Sequence, residues 1–250
     1  MKITQSILSE LAQLTFKDNT VQIVRPLDRK TYVDLNKVLE ACGGKWNKSA
    51  KVHIFPGDAA EALDVAIVTG EVATASEMNF FPTSAADAAD LVAWAFEKAV
   101  PGPVSILEPS AGKGAIVKAA MHKGPVDAVE LDERHRKDLE ALGTGVSVRI
   151  ASFFDLPVEP RYSHIPGNPP FAKVVGFDGI DHFRRCYEFL RPGGCQAMIM
   201  PKSIEWRDDR RHSAFRTWLD ERGAERQLMA SGSFKHAKTN VEAVRVRLYK

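Results

Sequence analysis

Cysteine is scarce here. Cys42, Cys186 and Cys195 stand far apart, with no CxxC pair and no metal-ligand spacing, which predicts reduced thiols in a cytoplasmic protein. Long apolar runs are missing too: none approaches the roughly 20 residues that span a bilayer. The start, Met1-Lys2-Ile3-Thr4-Gln5, lacks the apolar core of a secretory signal, so no membrane partner is expected. Charge of one sign is not in surplus, because 34 Lys+Arg against 32 Asp+Glu leave a net +2. No global field therefore draws the chain to nucleic acid, and polyanion binding has to come from local clusters. Internal repeats and low-complexity tracts are absent. With 250 residues, 44% hydrophobic and 26% charged, the chain reads as one ordinary globular domain with a small appendage.

The appendage is expected over residues 1–75. Apolar positions Ile7, Leu8, Leu11 and Leu14 give the stretch from Ile3 to Phe16 a helical spacing. Val21 to Val24 alternates like a strand stopped by Pro26, and Leu35, Val38, Leu39 and Cys42 mark a helix that Gly43-Gly44 ends. Lys45-Trp46-Asn47-Lys48 reads as a basic turn before the strand Val52 to Phe55, and a further helix runs from Asp58 to Val68. Between Arg25 and Lys51, seven basic residues face three acidic ones, a local excess of four. Such a small α+β module can touch phosphates through Lys45 and Lys48. The alternative is a solvated face around a tryptophan that plugs a small core. Polar residues from Thr69 to Asn79 read as a linker.

Residues 76–250 alternate strands and helices. Strands are expected at 104–107, 126–129, 146–150, 162–165, 196–200, 226–230 and 241–249, with helices between most of them. That rhythm predicts an α/β fold with a mostly parallel, seven-stranded sheet and right-handed crossovers. The short connection before the last strand predicts an antiparallel final pair.

Two stretches carry chemistry. In Glu108-Pro109-Ser110-Ala111-Gly112-Lys113-Gly114, glycines turn the backbone between a strand and a helix, as in nucleotide pockets. It is neither a phosphate loop of the GxxxxGK[ST] kind nor a GxGxxG fingerprint, since residue 117 is valine. Glu130, 22 residues after Glu108, ends the second strand, where an acid can accept both hydroxyls of a ribose. Asp155 follows the third strand and suits the exocyclic amine of an adenine. Either acid alone reads as a strand cap; with the glycine turn they form a set. The second stretch, Asn168-Pro169-Pro170-Phe171, is a stiff turn placed after a strand.

Together these motifs resemble the S-adenosylmethionine-dependent amino-methyltransferases of the Rossmann-like class I group, most familiar as N6-adenine DNA methyltransferases. The order, glycine turn before asparagine turn, is similar to the subgroup found in phages and plasmids. The resemblance covers about residues 77 to 250. It implies that Glu108, Pro109, Ala111, Gly112 and Gly114 form the cofactor turn. It implies that Phe80-Phe81-Pro82-Thr83 holds the methionine part of the cofactor, with Phe81 and Thr83 among the binding residues and Asn168 touching both cofactor and substrate. Asn168, Pro169, Pro170 and Phe171 are then the catalytic set.

The physics agrees with that assignment. An aromatic amine is a poor nucleophile because its lone pair is delocalised into the ring. The Asn168 amide oxygen and the Pro169 carbonyl can each accept one amine hydrogen and so favour a pyramidal nitrogen. Proline stiffens the turn and holds both acceptors in place beforehand. Phe171 is expected to stack on a flipped base, a contact worth roughly 1–3 kcal/mol. No strong base is required, since the product ammonium sheds its proton to water.

Two features depart from the family. The fourth strand reads Ser163-His164-Ile165-Pro166, and Pro166 should end or bend it. His164 reads as packed or solvated rather than catalytic. Near the end, Ser231-Gly232-Ser233-Phe234 resembles the hairpin beside the target base, with Phe234 either a second wall of the base slot or a core ring. The arginines from Arg207 to Arg222 are interspersed with acids and read as a solvated helix face. No sizeable recognition domain follows the core, so sequence choice would rest on residues 1–75 or on loops. The expected activity is methyl transfer to adenine N6 in DNA. Alternatives are adenine in RNA, a glutamine amide of a protein, or a nucleic-acid-binding module without turnover.

Overall fold

The computed structural model describes residues 2–55, 57–70, 72, 82–171, 176–229 and 242–250. Most of the expected linker, together with Phe81 and Phe234, lies outside the described residues.

The first 70 residues build a small sheet. Helix α1 (Gln5–Leu11) begins where Thr4 accepts a hydrogen bond from the Ile7 amide, and α2 (Arg29–Ala41) where Asp28 accepts from Lys30 and Thr31. Such caps satisfy amides that a first helical turn leaves unpaired. Strands β1 (Thr15–Lys17), β2 (Thr20–Gln22), β3 (Lys45–Asn47) and β4 (Val52–Ile54) form an antiparallel sheet in the order β1-β2-β4-β3. Helix α3 (Ala59–Thr69) completes the module. Ile7, Leu11, Leu35, Leu39, Phe55 and Leu63 share its core.

Two readings of this region are corrected. The first helix stops at Leu11, and Phe16 lies in β1, because Asp18 at φ +50° lets residues 15–17 fold back onto 20–22. Lys45 to Asn47 is a strand, not a turn. The Asn47 side chain accepts hydrogen bonds from the amides of Ser49 and Ala50 at 3.0 and 2.9 Å, which moves the turn beyond it.

The larger unit runs α4 (Ala85–Ala95), β5 (Ile106–Glu108), α5 (Ala115–Ala120), β6 (Val126–Glu130), α6 (Arg136–Glu140), β7 (Val146–Ile150), β8 (Tyr162–Gly167), α7 (Gly179–Phe189), β9 (Leu190–Pro201), α8 (Arg210–Asp220), β10 (Glu225–Leu228) and β11 (Ala243–Tyr249). Its seven strands take the order β10-β11-β9-β8-β5-β6-β7. Pairs from β9 to β7 are parallel, and β11 is antiparallel to both neighbours. The expected sheet is thus observed. Alternation did not foretell that β11 inserts between β9 and β10.

Side chains of a strand point alternately to its two faces, and the core divides accordingly. Ile106, Ala128, Ala197 and Ile199 pack with α4 and α5, while Leu107, Val129, Met198 and Met200 pack with α7 and α8. The result is a three-layer sandwich.

Pro166 does not end β8. The strand continues to Gly167, with Pro166 opposite Ala197 of β9. The registered pair between β8 and β5 lies at His164, two residues before Pro166, so the proline's missing N–H falls past that ladder.

The modules meet beyond β9. There α3 packs on the short 3-10 turn Lys202–Glu205, and Trp206 leans on the small core. Arg207 is 4% exposed, pairs with Asp64 of α3, and lies over the Phe16 ring at 5.7 Å. It is not part of a solvated face, as its sequence neighbours suggested. Its partner stands 143 residues away.

Candidate active site

Strands β5, β6 and β7 add to one side of the sheet, then the chain returns to lay β8 on the other side of β5. At such a reversal the crossovers part, and a crevice opens at the carboxyl ends of the strands. The two turns singled out above sit there, Glu108–Gly114 after β5 and Asn168–Phe171 after β8.

The glycine turn is fixed from the neighbouring strand. The Ala111 amide donates to the Val129 carbonyl at 2.9 Å, and the Gly112 amide donates to Glu130 Oε2 at 2.6 Å. Gly112 and Gly114 adopt φ +53° and +82°, a region that residues with a Cβ avoid. Gly114 opens α5 and lies against Leu142, whose Cδ1 would be 2.9 Å from an added Cβ. Glu130, expected to accept ribose hydroxyls, here also accepts the Asp132 amide through Oε1 at 2.8 Å. Each oxygen keeps a further lone pair, so bracing the turn and accepting a ligand hydroxyl are compatible.

Glu108 is 1% exposed. Its Oε1 accepts the Ser110 amide at 3.3 Å, and its Oε2 makes no hydrogen bond among the described residues. Burial, and then the charge of Glu130, push its carboxyl well above the usual carboxylate range, against the amides of Ser110 and Asn168. An acid so placed favours a ligand that brings positive charge. Gly167 brings the second turn against the first: a Cβ there would lie 3.4 Å from both Glu108 Oε1 and Pro109 Cδ.

In that second turn, Asn168 Nδ2 donates to Thr83 Oγ1 at 3.1 Å. Thr83 is itself placed by the start of α4, where Ser84 Oγ accepts the Asp87 amide at 3.0 Å and donates to Asp87 Oδ2 at 2.6 Å. Pro169 is buried and Pro170 half-buried, and the Pro170 carbonyl lies 3.3 Å from where a Cβ on Gly179 would stand. Phe171 departs from expectation. Its ring is 2% exposed within the α4–α5 core, so in this conformation it offers no open face to a base. Asp155 is exposed at the end of the 3-10 turn Phe153–Asp155, on the same edge of the sheet after β7.

Lys45 and Lys48 are exposed on the small module, on edge strand β3 and the turn after it, outside the crevice. His164 is buried, stacks on Phe96 at 3.6 Å and shares a 2.9 Å hydrogen bond with Ser163, a packing role.

The sequence reading missed the junction of the modules. A cleft of about 400 Å³ runs between them, lined by Phe16, Lys17 and Asp64 on one side and by Arg207, Arg210 and Arg211 on the other. Arg211 also binds Asp178, which caps α7 just downstream of the asparagine turn. Asp178-Gly-Ile-Asp181 had a legible signal, since an acid at both the cap and the third helical position marks a helix start. The Asp64–Arg207 pair had none.

No protein-family model matches the chain, and no curated protein matches it in sequence. Solved structures do share its architecture. A Listeria monocytogenes protein assigned to the class I S-adenosylmethionine-dependent methyltransferases superposes with a TM-score of 0.56 at 11% identity, over 71% of this chain and 62% of that one. The type I restriction-modification methyltransferase subunit of Streptococcus thermophilus gives 0.58 at 18% identity, over 77% of this chain and 48% of its own. A protein of Vibrio vulnificus, assigned as the modification subunit of a type I restriction enzyme, gives 0.54 at 13% identity, over 70% and 45%. The chain thus spans from under half to about three-fifths of these neighbours, and the likeness is one of fold: Rossmann-like class I methyltransferase.

Proposed function

We propose that this chain is an S-adenosylmethionine-dependent methyltransferase acting on the N6 amine of adenine in DNA. One observation carries the reading. At the switch point of the sheet, the Asn168 side chain is held by Thr83 directly beside the glycine turn that follows β5.

The residues fit the cofactor. Buried Glu108 suits its positive charge, Glu130 at the end of β6 suits its ribose, and Gly112 and Gly114 let the backbone approach closely. When bound, the cofactor supplies a methyl group carried on a positively charged sulfur. This chain's part is to prepare the amine. Asn168 Oδ1 and the Pro169 carbonyl accept its two hydrogens, which withdraws the lone pair from the ring and points it toward the cofactor side. The rigid X-Pro-Pro backbone keeps both acceptors from reorganising during transfer.

DNA is favoured among amine-bearing substrates by two supports. The fold is shared with modification subunits of restriction systems, and the small module carries a local basic excess beside an exposed tryptophan.

The test is tritiated-methyl transfer to DNA, RNA and protein in parallel, for wild type and Asn168→Ala. Label is expected on DNA adenine, and Asn168→Ala should lower the rate by at least roughly a hundredfold while keeping cofactor affinity. Label on RNA or protein alone would move the substrate. Cofactor binding without label on any of them would leave a binding module, and a fully active Asn168→Ala would remove the asparagine from the chemistry.

A further inference from the structure

We infer that Thr83 is a positioning residue for Asn168: its hydroxyl holds the plane of the catalytic amide, with Nδ2 as the end that meets it. The inference rests on the methyl-transfer reading and assigns Thr83 a task distinct from holding the cofactor.

The two ends of an asparagine amide are nearly equal in size, and rotation about the last side-chain bond is broad and roughly two-fold. The chemistry tolerates only one end. If Nδ2 faced the substrate amine, donor would meet donor, and the nitrogen would lose an acceptor. The main chain of Asn168 is already restrained. Pro169 follows it and biases it to extended backbone, and the Asn168 amide is turned toward the carboxyl of Glu108. The side-chain torsion is the other degree of freedom, and the 3.1 Å bond from Nδ2 to Thr83 Oγ1 restrains it. In this rotamer Nδ2 meets Thr83 and the carbonyl end is turned from it.

Thr83 is suited to the task because it does not move by itself. It immediately precedes Ser84, whose hydroxyl is engaged twice with Asp87 at the start of α4. That helix in turn buries Ala88, Leu91, Val92 and Ala95 against the sheet. The orientation of the amide thus follows from a helix cap 84 residues upstream.

Three variants test this: Thr83→Val, Thr83→Ala and Thr83→Ser. Each is checked for folding by thermal melting, and Thr83→Ala deletes the same hydroxyl should the valine variant fold poorly. Without the hydroxyl, kcat is expected to fall roughly a hundredfold, while the KM for S-adenosylmethionine moves less than about threefold; Thr83→Ser should restore most of the rate. A second readout needs no turnover. The Asn168 side-chain NH2 signals in 15N-labelled protein, identified by their loss in Asn168→Ala, should shift on Thr83→Val and return on Thr83→Ser. Wild-type kcat in Thr83→Val, a loss confined to KM, or unmoved NH2 signals would each overturn the inference. If wild type transfers label to no acceptor while the NH2 signals respond as expected, the substrate reading fails and the positioning contact stands.

Discussion

The two sheets of this molecule solve different problems. Each strand of the small sheet is three residues long, one core serves the whole module, and its outer strand β3 with the turn after it leaves Lys45, Trp46 and Lys48 at the surface. The large sheet is covered on both faces, and the glycine turn after β5 is tied to the neighbouring strand β6 through the Ala111 amide and the Glu130 side chain. A group that must be held to a fraction of an ångström belongs on the second kind of scaffold, where packing leaves it little alternative. A surface that attracts a polyanion needs only charge and exposure, and a small antiparallel sheet provides both. On the proposed reading, the amine acceptors and the exposed basic residues lie on separate units, with a cleft between the units.

That division is most directly broken at the join. Asp64 and Arg207 form an ion pair across the modules, with Arg207 also bonded to Asp209 at 3.1 Å. Removing Asp64 leaves buried Arg207 with Asp209 as its counter-charge, so Asp64→Ala should destabilise the protein by less than the roughly 3–5 kcal/mol of a charge left wholly uncompensated. Replacing both as Asp64→Leu with Arg207→Met should recover most of that loss, because a buried pair contributes little beyond an apolar substitute of similar volume. Urea unfolding followed by tryptophan fluorescence reads both variants. If Asp64→Ala melts like wild type, the pair does not hold the modules together.

Legibility in the sequence divides along the same line. The strands of the large unit were readable because most carry apolar positions in short segments set between helical runs, and Val146–Ile150 coincides with its expected bounds. The glycine turn and the asparagine turn were readable because rigid backbone leaves fixed residue types at fixed spacing. The small module was read less well. Three-residue strands carry too few alternating positions to separate a hairpin from the tail of a helix, as Phe16 shows. The burial of Phe171 was hidden for another reason, since an aromatic after such a turn looks the same whether it faces the core or a ligand. Thr83 and Asn168 could be named individually. Their contact spans 85 residues and exists only once α4 has packed.

Both modules bury histidines, and pH should separate His164 from His53. In the large unit, His164 is pushed down from 6.5 to about 4 by burial, with Arg191 acting in the same direction. In the small one, burial also lowers His53, but Glu40 opposes the shift and Asn36 holds Nε2 at 2.7 Å. Below pH 6.5 the unfolded chain takes up a proton that folded His164 refuses, so stability is intact above that value and falls until about pH 4. At 1.36 kcal/mol per pH unit, His164 should account for about 3 kcal/mol across that window. His164→Gln should flatten the fall, with His53 and His182 supplying what remains. An unchanged slope between pH 6.5 and 4 would place the acid sensitivity elsewhere.

The smallest effect on stability, and the sharpest test of the small module, lies at β3. Trp46 is 41% exposed, its ring 5.0 Å from that of buried His53, so the strand offers an anchored aromatic between Lys45 and Lys48. If these lysines meet phosphates, Lys45→Ala with Lys48→Ala removes two counterion-releasing contacts, and the slope of log K against log salt should become shallower by about 1.8. Surface changes of this kind alter folding stability by no more than about 0.5 kcal/mol. A filter-binding series from low to moderate salt distinguishes the possibilities. A shallower slope with an unchanged melting temperature assigns the module to the nucleic acid. An unchanged slope makes the basic strand a solvated face, and polyanion contact would then have to come from the rim of the cleft, where Lys17 and Arg210 lie.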